Sequence, residues 1–342
     1  MEIILLLALL AVLYQIYIRI ISPHLQKDSS DQERFDLAGE NNSSEVNEDD
    51  HSFSGRKKGK VFSGGSGSAE DPFLVASASE LDRIRFYPDS CFRQIASIDL
   101  KKYSRQKEWK PIGGEGTEFN GEFDGVEYHI SNLFLEMERG MYCGLFGNLG
   151  KQGILKNISL HHTLISGDTF VGSLVGWSSG KVRKSYSSGE VSGFKNVGVL
   201  VGSNRGTIEQ CFAGGEVYGS RNCGGLAGWS GGKIKNSHAS SEAAGNKDIG
   251  GLAGSNYGLI ACCHSVGDVH GEKRAGTLVG WNIGEIKDSF ARRGAAPYRQ
   301  FEAKQNILKS PRQMKRKKTF SGWDFENIWE IREGESYPYL KF

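Results

Sequence analysis

The chain has 342 residues, of which 46 are Gly and only 7 are Pro. Gly makes up about 13% of the sequence against a typical share of roughly 7%, and 29 of the 46 lie in residues 151–300. A surplus confined to one stretch argues against a disordered linker protein, and the lack of a G-X-Y period excludes collagen. The formal net charge of +2 gives no case for nucleic-acid binding by the whole chain.

The N-terminus is an apolar run. Residues 3–14 read IILLLALLAVLY, and the apolar character continues to residue 21, close to the roughly 20 residues of a membrane helix. Neither a basic n-region nor a small-x-small cleavage site accompanies the run, so we expect residues 1–21 to be an uncleaved anchor; the alternatives are an atypical signal peptide and a buried helix. Arg19 and Lys27 follow the run and no basic residue precedes it. Taken alone, that would leave the rest of the chain in the cytoplasm.

Residues 22–64 are predicted to be a disordered linker. Nine acidic and six basic residues fall between residues 22 and 60, with almost no apolar ones. Such a segment buries too little apolar surface to fold. We therefore expect it to tether a membrane helix to a folded domain.

A 26-residue repeat follows, without insertion or deletion up to residue 296. Its five copies begin at Gly167, Gly193, Gly219, Gly245 and Gly271. Four columns, headed by Gly167, Gly172, Gly176 and Gly180, are Gly in every copy. Three further columns are apolar: Leu174, Leu200, Leu226, Leu252 and Leu278; Val182, Ile208, Ile234, Ile260 and Ile286; Val191, Val217, Ala243, Val269 and Ala295. A fixed period of this length is typical of stacked architectures.

Each copy predicts three short strands. The short runs VGSLVG, GKVRKSY and GEVSG contain β-branched residues and lie between Gly-rich corners. Coils stacked at about 4.8 Å would form an all-β parallel β-helix with the apolar columns inside. The Gly columns would mark corners that need a positive φ or a close backbone approach. A β-propeller is the alternative, but its blades need about 40–45 residues.

Two columns alternate in every second coil. They read Trp177, Ser203, Trp229, Ser255, Trp281 and Ser185, Cys211, Ser237, Cys263, Ser289. Equivalent Trp residues would be about 9.6 Å apart, which leaves room for each indole over the Ser of the neighbouring coil. The true repeat would then be a pair of coils. The Trp row is either a sugar-binding surface or a set of covers over the corners, and we favour the covers.

The repeats resemble the GLUG motif, named for a Gly-Leu-x-Gly core. The matching segments are GLAG at 225–228 and 251–254, SLVG at 173–176, VLVG at 199–202, TLVG at 277–280 and an earlier GLFG at 144–147. Residues 70–84, 119–133 and 322–341 resemble the segments that flank such repeats, so the resemblance covers about residues 65–342. It implies a right-handed β-helix in a secreted or surface-exposed bacterial protein, as in adhesin-like proteins and the N-terminal region of IgA-specific metallopeptidases. Peptidase activity is not implied, because the chain has no His-Glu-x-x-His.

Short helices are expected to cover both ends of the solenoid. Ser77 is a suitable N-cap for a helix at about 78–86, with Glu80 three residues further on. Ser310 and Pro311 similarly predict a helical turn. The aromatic residues that follow could plug the last coil: Trp323, Phe325, Trp329, Tyr337 and Tyr339. The domain plan is then an N-terminal cap with the first coils at 65–150, the repeat at 151–296, and a C-terminal cap with a basic segment at 297–342.

Three clusters are candidates for ligand binding. The column Glu190, Glu216, Glu242 and Asp268 could hold a cation such as Ca²⁺, although we favour a solvated corner. His238 and His264 share an otherwise aromatic column beside Cys262 and Cys263, so we expect packing, with Zn²⁺ as the alternative. Residues 291–318 hold ten basic side chains that could meet anionic polysaccharide, lipid or nucleic acid; a solvated face is the favoured interpretation. That segment includes Lys309, Arg312, Lys315, Arg316, Lys317 and Lys318.

The sequence thus predicts a non-enzymatic adhesin-like or scaffolding protein of the cell envelope, or a secreted one. We expect no catalytic residue, no cofactor and no specific nucleic-acid partner; the partner would be an extracellular protein or a glycan, and the membrane would be engaged through the N-terminal helix. The oligomeric state and the pairing of the six irregularly spaced Cys residues stay open. The alternatives are a carbohydrate-binding module that uses the Trp corners and a polysaccharide lyase or hydrolase of β-helix type.

Overall fold

Each 26-residue repeat folds into one turn of a parallel β-solenoid. The structure, a computed structural model, describes residues 61–102, 109–126, 128–296 and 307–341, which belong to one unit, Lys58–Phe342. The predicted anchor at 1–21 and all but the end of the predicted linker at 22–64 lie outside the described residues. In the part that is described, no helix is long and apolar enough to cross a membrane.

One turn contributes a strand to each of three sheets, which we name A, B and C. The turn that starts in the first repeat supplies Val175–Ser178 to sheet C, Lys181–Arg183 to sheet A and Tyr186–Gly198, which runs into the second repeat, to sheet B. Neighbouring turns pair in parallel with partners one full repeat apart, such as Val175 with Val201. Continuous ladders of this kind confirm the solenoid and are incompatible with separate propeller blades.

The strands of the three sheets extend beyond the strict repeat at both ends. Sheet A contains Phe73–Val75, Cys91–Gln94, Glu122–Asp124, Ile154–Lys156, Lys181–Arg183, Thr207–Glu209, Lys233–Lys235, Leu259–Ala261 and Glu285–Lys287. Sheet C contains Phe146–Leu149, Val175–Ser178, Val201–Asn204, Ala227–Ser230, Ala253–Asn256 and Val279–Asn282. Sheet B contains Ile98–Asp99, His129–Ser131, Phe134–Glu136, Met141–Cys143, Ser159–Ser166, Thr169–Gly172, Tyr186–Gly198, Phe212–Gly224, His238–Ala239, Glu242–Gly250, His264–Ser265, Val269–Gly276, Phe290–Arg292 and Leu308–Lys309. Trp329–Glu330 and Tyr339–Leu340 form a separate antiparallel pair.

The three apolar columns line the interior as predicted. Every Leu of the first column is fully buried, the third column is buried throughout, and the second column is buried except at its last turn. There Ile286 is half-buried, because no further turn covers it. One continuous core therefore runs along the axis.

The invariant Gly columns are required for close approach between turns and not for a positive φ. A Cβ added at Gly206 would lie 1.9 Å from the carbonyl oxygen of Gly180, and one at Gly258 would lie 1.9 Å from that of Gly232. None of the Gly residues in these four columns has a positive φ. For these columns the expectation of a positive φ is therefore wrong, and the expectation of a close backbone approach is confirmed.

The left-handed corners are occupied instead by residues with side chains. Two positions per turn have φ between 44° and 63°: Phe170, Asn196, Asn222, Asp248 and Arg274; Lys184, Gln210, Asn236, Cys262 and Asp288. Asn and Asp tolerate this conformation because their short side chains bond locally. The first of these two columns lies beside the site described below.

The N-terminal end begins with an aromatic cluster and a short helix. Ser77 caps helix α1 (Ala78–Arg83) through the Glu80 amide, and a 3-10 turn (Ile84–Phe86) continues it, as predicted. Phe62, which falls within the predicted linker, is buried and stacks on Phe73 with ring centroids 4.6 Å apart.

The C-terminal segment begins as predicted but packs elsewhere. Ser310 closes a capping box on helix α2 (Pro311–Met314). The aromatic residues beyond it do not plug the last coil. They form an outer aromatic cluster on the outward face of sheet B, built from Met314, Phe320, Trp323, Trp329 and Leu340. The physical reason is that the column holding His238, His264 and Phe290 already offers an apolar strip on that face, alternating with the buried Ala239 and Ala291.

Candidate functional site

The three Trp residues of the alternating column lie in one groove. Sheet C places Trp177, Ser203, Trp229, Ser255 and Trp281 side by side in register. The indoles are half-buried and line an open groove of about 400 Å³. From the first Trp to the last it follows the rod axis for about 19 Å, which is four strand spacings.

Side chains from the intervening turns occupy the space between the indoles. The Arg205 guanidinium lies 5.0 Å from the ring centroid of Trp177 and 5.9 Å from that of Trp229. Arg274 lies 4.2 Å from the ring centroid of Trp281. Tyr257 packs on Trp229 at 5.6 Å. Each indole is therefore covered by a neighbouring cation or ring, and not only set above a Ser.

This packing explains the pairing of coils. The second residue after each of the first two Trp is small, Ser179 or Gly231, whereas Arg205 and Tyr257 hold that position in the turns without Trp. Trp177 Nε1 donates to Ser179 Oγ at 3.3 Å. An added Cβ at Gly231 would meet the Trp229 ring at 2.3 Å, so that indole rests directly on its corner. The two-coil period therefore arises from steric fit: the large side chains of the Trp column alternate with the large side chains, Arg205 and Tyr257, of the column two residues further on.

A ladder at left-handed corners lines the groove alongside the Trp column. Asn222 Nδ2 donates to Asn196 Oδ1 at 2.6 Å, and Ser255 Oγ donates to Asn222 Oδ1 at 3.0 Å. Further along, Arg274 forms a bidentate ion pair with the buried carboxylate of Asp248. Arg274 holds a φ of 56°, which is uncommon for a long side chain. These contacts fix this side of the groove before any ligand arrives.

A basic column completes the groove. Lys195, Arg221 and Lys247 pair in register on successive strands of sheet B and line the groove with Arg205 and Arg274. Asp248 is the one acidic residue in its lining. Within the described ranges, Lys195, Arg205, Arg221 and Lys247 form no ion pair. The groove therefore carries a concentrated positive charge.

The predicted acidic column exists, and three of its four members have individual partners. Glu190, Glu216 and Glu242 pair in register, and Asp268 continues the column. Tyr218 donates its hydroxyl hydrogen to Glu216, His270 Nε2 lies 3.5 Å from Glu242, and Arg292 pairs with Asp268. Burial, the Glu216 hydrogen bond and the neighbouring Glu charges raise the pKa of Tyr218. In the described part of the chain, no three His, Cys, Asp or Glu side chains are arranged to hold a metal ion.

His238 and His264 pack as aromatic rings beneath the C-terminal segment. Their ring centroids lie 4.8 Å apart, and His238 also stacks on Phe212 at 4.3 Å. His264 Nε2 donates to the carbonyl oxygen of Pro338 at 2.8 Å, which leaves its buried Nδ1 without a hydrogen-bond partner among the described residues. Burial lowers the pKa of His264 to about 4 and the pKa of His238 well below its usual value.

The basic segment near the C-terminus lies against the outer aromatic cluster. Lys309, Lys315 and Lys317 hold their ammonium groups over Phe290, Tyr337 and Phe325 at 5.3, 5.6 and 5.2 Å. Arg312 and Lys318 are exposed, and Arg316 is half-buried. Three of the six predicted residues therefore cover aromatic rings.

The six Cys residues are all free thiols. Cys211 and Cys263 face the interior, and burial raises the pKa of Cys211 to about 12. The Ser residues that alternate with them serve the backbone: Ser237 Oγ accepts from the Cys211 amide at 3.1 Å and donates to the Lys235 carbonyl at 2.7 Å. This column is structural.

Sequence reasoning found the Trp row but missed the cations around it. The same alignment that exposes the Trp column places Lys195, Arg221, Lys247 and Lys273 in one column. Arg205 and Tyr257 alternate with Ser179 and Gly231 in another. Both columns are visible in the repeat, although the sequence does not show that they meet across a corner.

The fold and the groove together define a parallel β-solenoid with linear surface columns. No protein-family model matches the chain. It is 34% identical over 135 residues to a protein named as a Gly-rich membrane protein of Evansella cellulosilytica, covering 37% of this chain and 16% of that one. It is 31% identical over 157 residues to halomucin of Haloquadratum walsbyi, covering 42% of this chain and 2% of that one. The chain thus spans only a small fraction of the length of these relatives.

Two solved structures share the fold. A Bacteroides ovatus protein assigned as an immunoglobulin A1 protease superposes with a TM-score of 0.63 at 19% identity, covering 82% of this chain and 95% of that chain. An IgA1 protease superposes with a TM-score of 0.51 at 18% identity, covering 69% of this chain and 21% of that chain. At these identities the likeness concerns the solenoid alone.

Proposed function

We propose that this chain is a non-enzymatic β-solenoid of the bacterial cell envelope or exterior that acts in adhesion or as a scaffold. One observation carries the proposal: its exposed charged and aromatic side chains repeat in straight columns along the rod, as in Lys195, Arg221 and Lys247. Many equivalent contacts at one spacing favour multivalent attachment to an extended partner.

Three further observations support this location and role. The repeats resemble the GLUG motif of adhesin-like surface proteins. A relative over 37% of the chain is named as a membrane protein. The apolar run at 1–21 has nearly the length of a membrane anchor.

The test is to produce the full chain in a bacterium that does not adhere. Protease added to intact cells should remove the solenoid, and the cells should attach to at least one immobilised glycan or extracellular protein. A chain truncated after residue 60 is the control and should not confer attachment. Protection of the solenoid until the cells are lysed would contradict the surface location, and release of sugar fragments from the bound glycan would contradict a non-enzymatic role.

Carbohydrate binding in the groove that contains the Trp column is a second candidate. The groove favours it, because Trp177, Trp229 and Trp281 line one continuous depression along the rod.

A further inference from the structure

We infer that the groove binds a linear polysaccharide that carries carboxylates, a polyuronate, laid along the rod axis. Arg205, Arg221 and Lys247 would bind its carboxylates. This inference deepens the carbohydrate-binding candidate and rests on the proposed exposure of the solenoid at the cell surface.

Unbalanced charge is the first argument. Five basic side chains and one carboxylate line the groove, and that carboxylate, Asp248, is already paired with Arg274. Elsewhere on the rod, Lys156 pairs with Glu122 and Asp124, and Lys287 pairs with Glu285. The other four groove cations have no such partner among the described residues, so an anionic ligand would supply the missing charge.

Spacing is the second argument. Lys195, Arg221 and Lys247 follow one another at the strand spacing, about 4.8 Å per turn. An extended polyuronate carries one carboxylate per sugar ring, and a ring advances the chain by a distance close to that spacing. The rings of the ligand therefore keep step with the turns, so that its carboxylates recur at multiples of the cation spacing along the groove.

The role of the indoles is the third argument. A guanidinium lies over each Trp of the row, Arg205 over two of them and Arg274 over the third. The indoles hold guanidinium groups in place through cation–π contacts, and Arg205 has no acidic partner among the described residues to occupy its N–H donors. A planar guanidinium matches a carboxylate in a two-bond fork. The Trp row thus orients Arg205, one of the three cations that would bind the glycan.

The same contacts disfavour single-stranded nucleic acid. Binding of that kind requires free aromatic faces on which successive bases stack. In this groove guanidinium groups and the Tyr257 ring already lie on the indoles. The hydroxyl of Ser203, which is buried beneath the groove, has no hydrogen-bond partner in the described structure.

The experiment measures binding of polygalacturonate oligomers to the full chain in detergent micelles. The methyl-esterified oligomer is the matched ligand, since it keeps the backbone and loses the charge. Arg205→Gln, Arg221→Gln and Lys247→Gln should each weaken binding about tenfold, the loss expected for one charge-assisted hydrogen bond. Arg93→Gln is the matched control, because Arg93 is exposed on sheet A and does not line the groove; it should leave the affinity unchanged, and thermal midpoints should stay equal.

Several results would overturn the inference. Equal affinity for the esterified oligomer would exclude carboxylate recognition. Tighter binding of an oligothymidylate, or of a sulfated glycan, that depends on the same residues would replace the polyuronate by that ligand. If Arg93→Gln weakens binding as much as Arg205→Gln does, the effect reflects the net charge of the protein and not the groove. If the groove variants bind polygalacturonate normally while the cells still attach, the groove is rejected as the binding site and the proposed function stands. If the solenoid is protected inside intact cells, the proposed function itself is rejected.

Discussion

The interior of the solenoid and the outer aromatic cluster are both apolar, but they are assembled differently. In the interior, each buried side chain stacks on its equivalent in the next turn, and the contact is repeated along the rod. In the outer cluster, a single segment folds back over the surface, so that Pro338 meets His264 from a distant part of the chain. The first arrangement spreads stability over many similar contacts, as in other repeat proteins. The second depends on a few large rings and two neutral His residues.

The largest expected loss of stability comes from a substitution that forces two stacked turns apart. Gly258→Ala should lower the stability of the rod by on the order of 5 kcal/mol, because the new Cβ would lie 1.9 Å from a backbone oxygen that cannot move without breaking the ladder. Thermal unfolding followed by circular dichroism measures it. Gly214→Ala is the control, since its Cβ meets only side-chain atoms at 3.3 Å or more. Equal midpoints for the two variants would refute the close-approach explanation.

Removal of one large ring should affect the outer cluster alone. Trp329→Ala should cost about 4 kcal/mol, yet release only the C-terminal segment, because that ring contacts His238, His264 and Trp323 outside the main core. Limited proteolysis should then cut beyond residue 314 while the solenoid resists. Leu226→Ala, of comparable cost, should instead lower the unfolding temperature of the rod. If both variants unfold the whole chain together, the two regions are not independent.

Acidification should undock the C-terminal segment. The pKa of His264 is about 4 in the folded state against 6.5 when free, so the undocked form binds more protons between these values. Docking is fully stable above pH 6.5 and loses up to about 3 kcal/mol from this residue as the pH falls to 4. The fluorescence of Trp323 and Trp329 against pH reports it. His264→Phe, which keeps an aromatic ring against His238 and removes the titrating group, should reduce the dependence; an unchanged curve would assign it to other groups.

The smallest effect is expected at the exposed acidic column. Glu190→Gln should raise stability by roughly a few tenths of a kcal/mol, because it relieves repulsion from Glu216 on the next strand and Glu190 is exposed. Chemical denaturation with and without a chelator is the measurement. A loss of stability in the variant, matched by an equal loss of the unmodified chain on chelation, would instead indicate a bridging cation.

Much of the fold was predictable because a solenoid is a local repetition. The 26-residue period, the three strands per turn, the buried columns and both helix caps follow from residues close in sequence. The site was only half predictable: the Trp row was visible, but its contact with Arg205 depends on how a side chain crosses a corner. The C-terminal aromatic residues were placed wrongly because their target, the His238 and His264 strip, is far away in the chain.

The register of the solenoid is written in the amino-acid sequence, since any slip from the 26-residue period would push Leu and Ile columns out of the core. The recurrence of Gly is equally visible there, but its reason is not. The packing of one turn on the next shows that Gly allows neighbouring backbones to touch, while Asn, Asp and even Arg274 take the left-handed corners. A positive φ is a local cost that several residues can bear, whereas the backbone contact at the invariant Gly positions, such as Gly206 and Gly258, leaves no room for a Cβ.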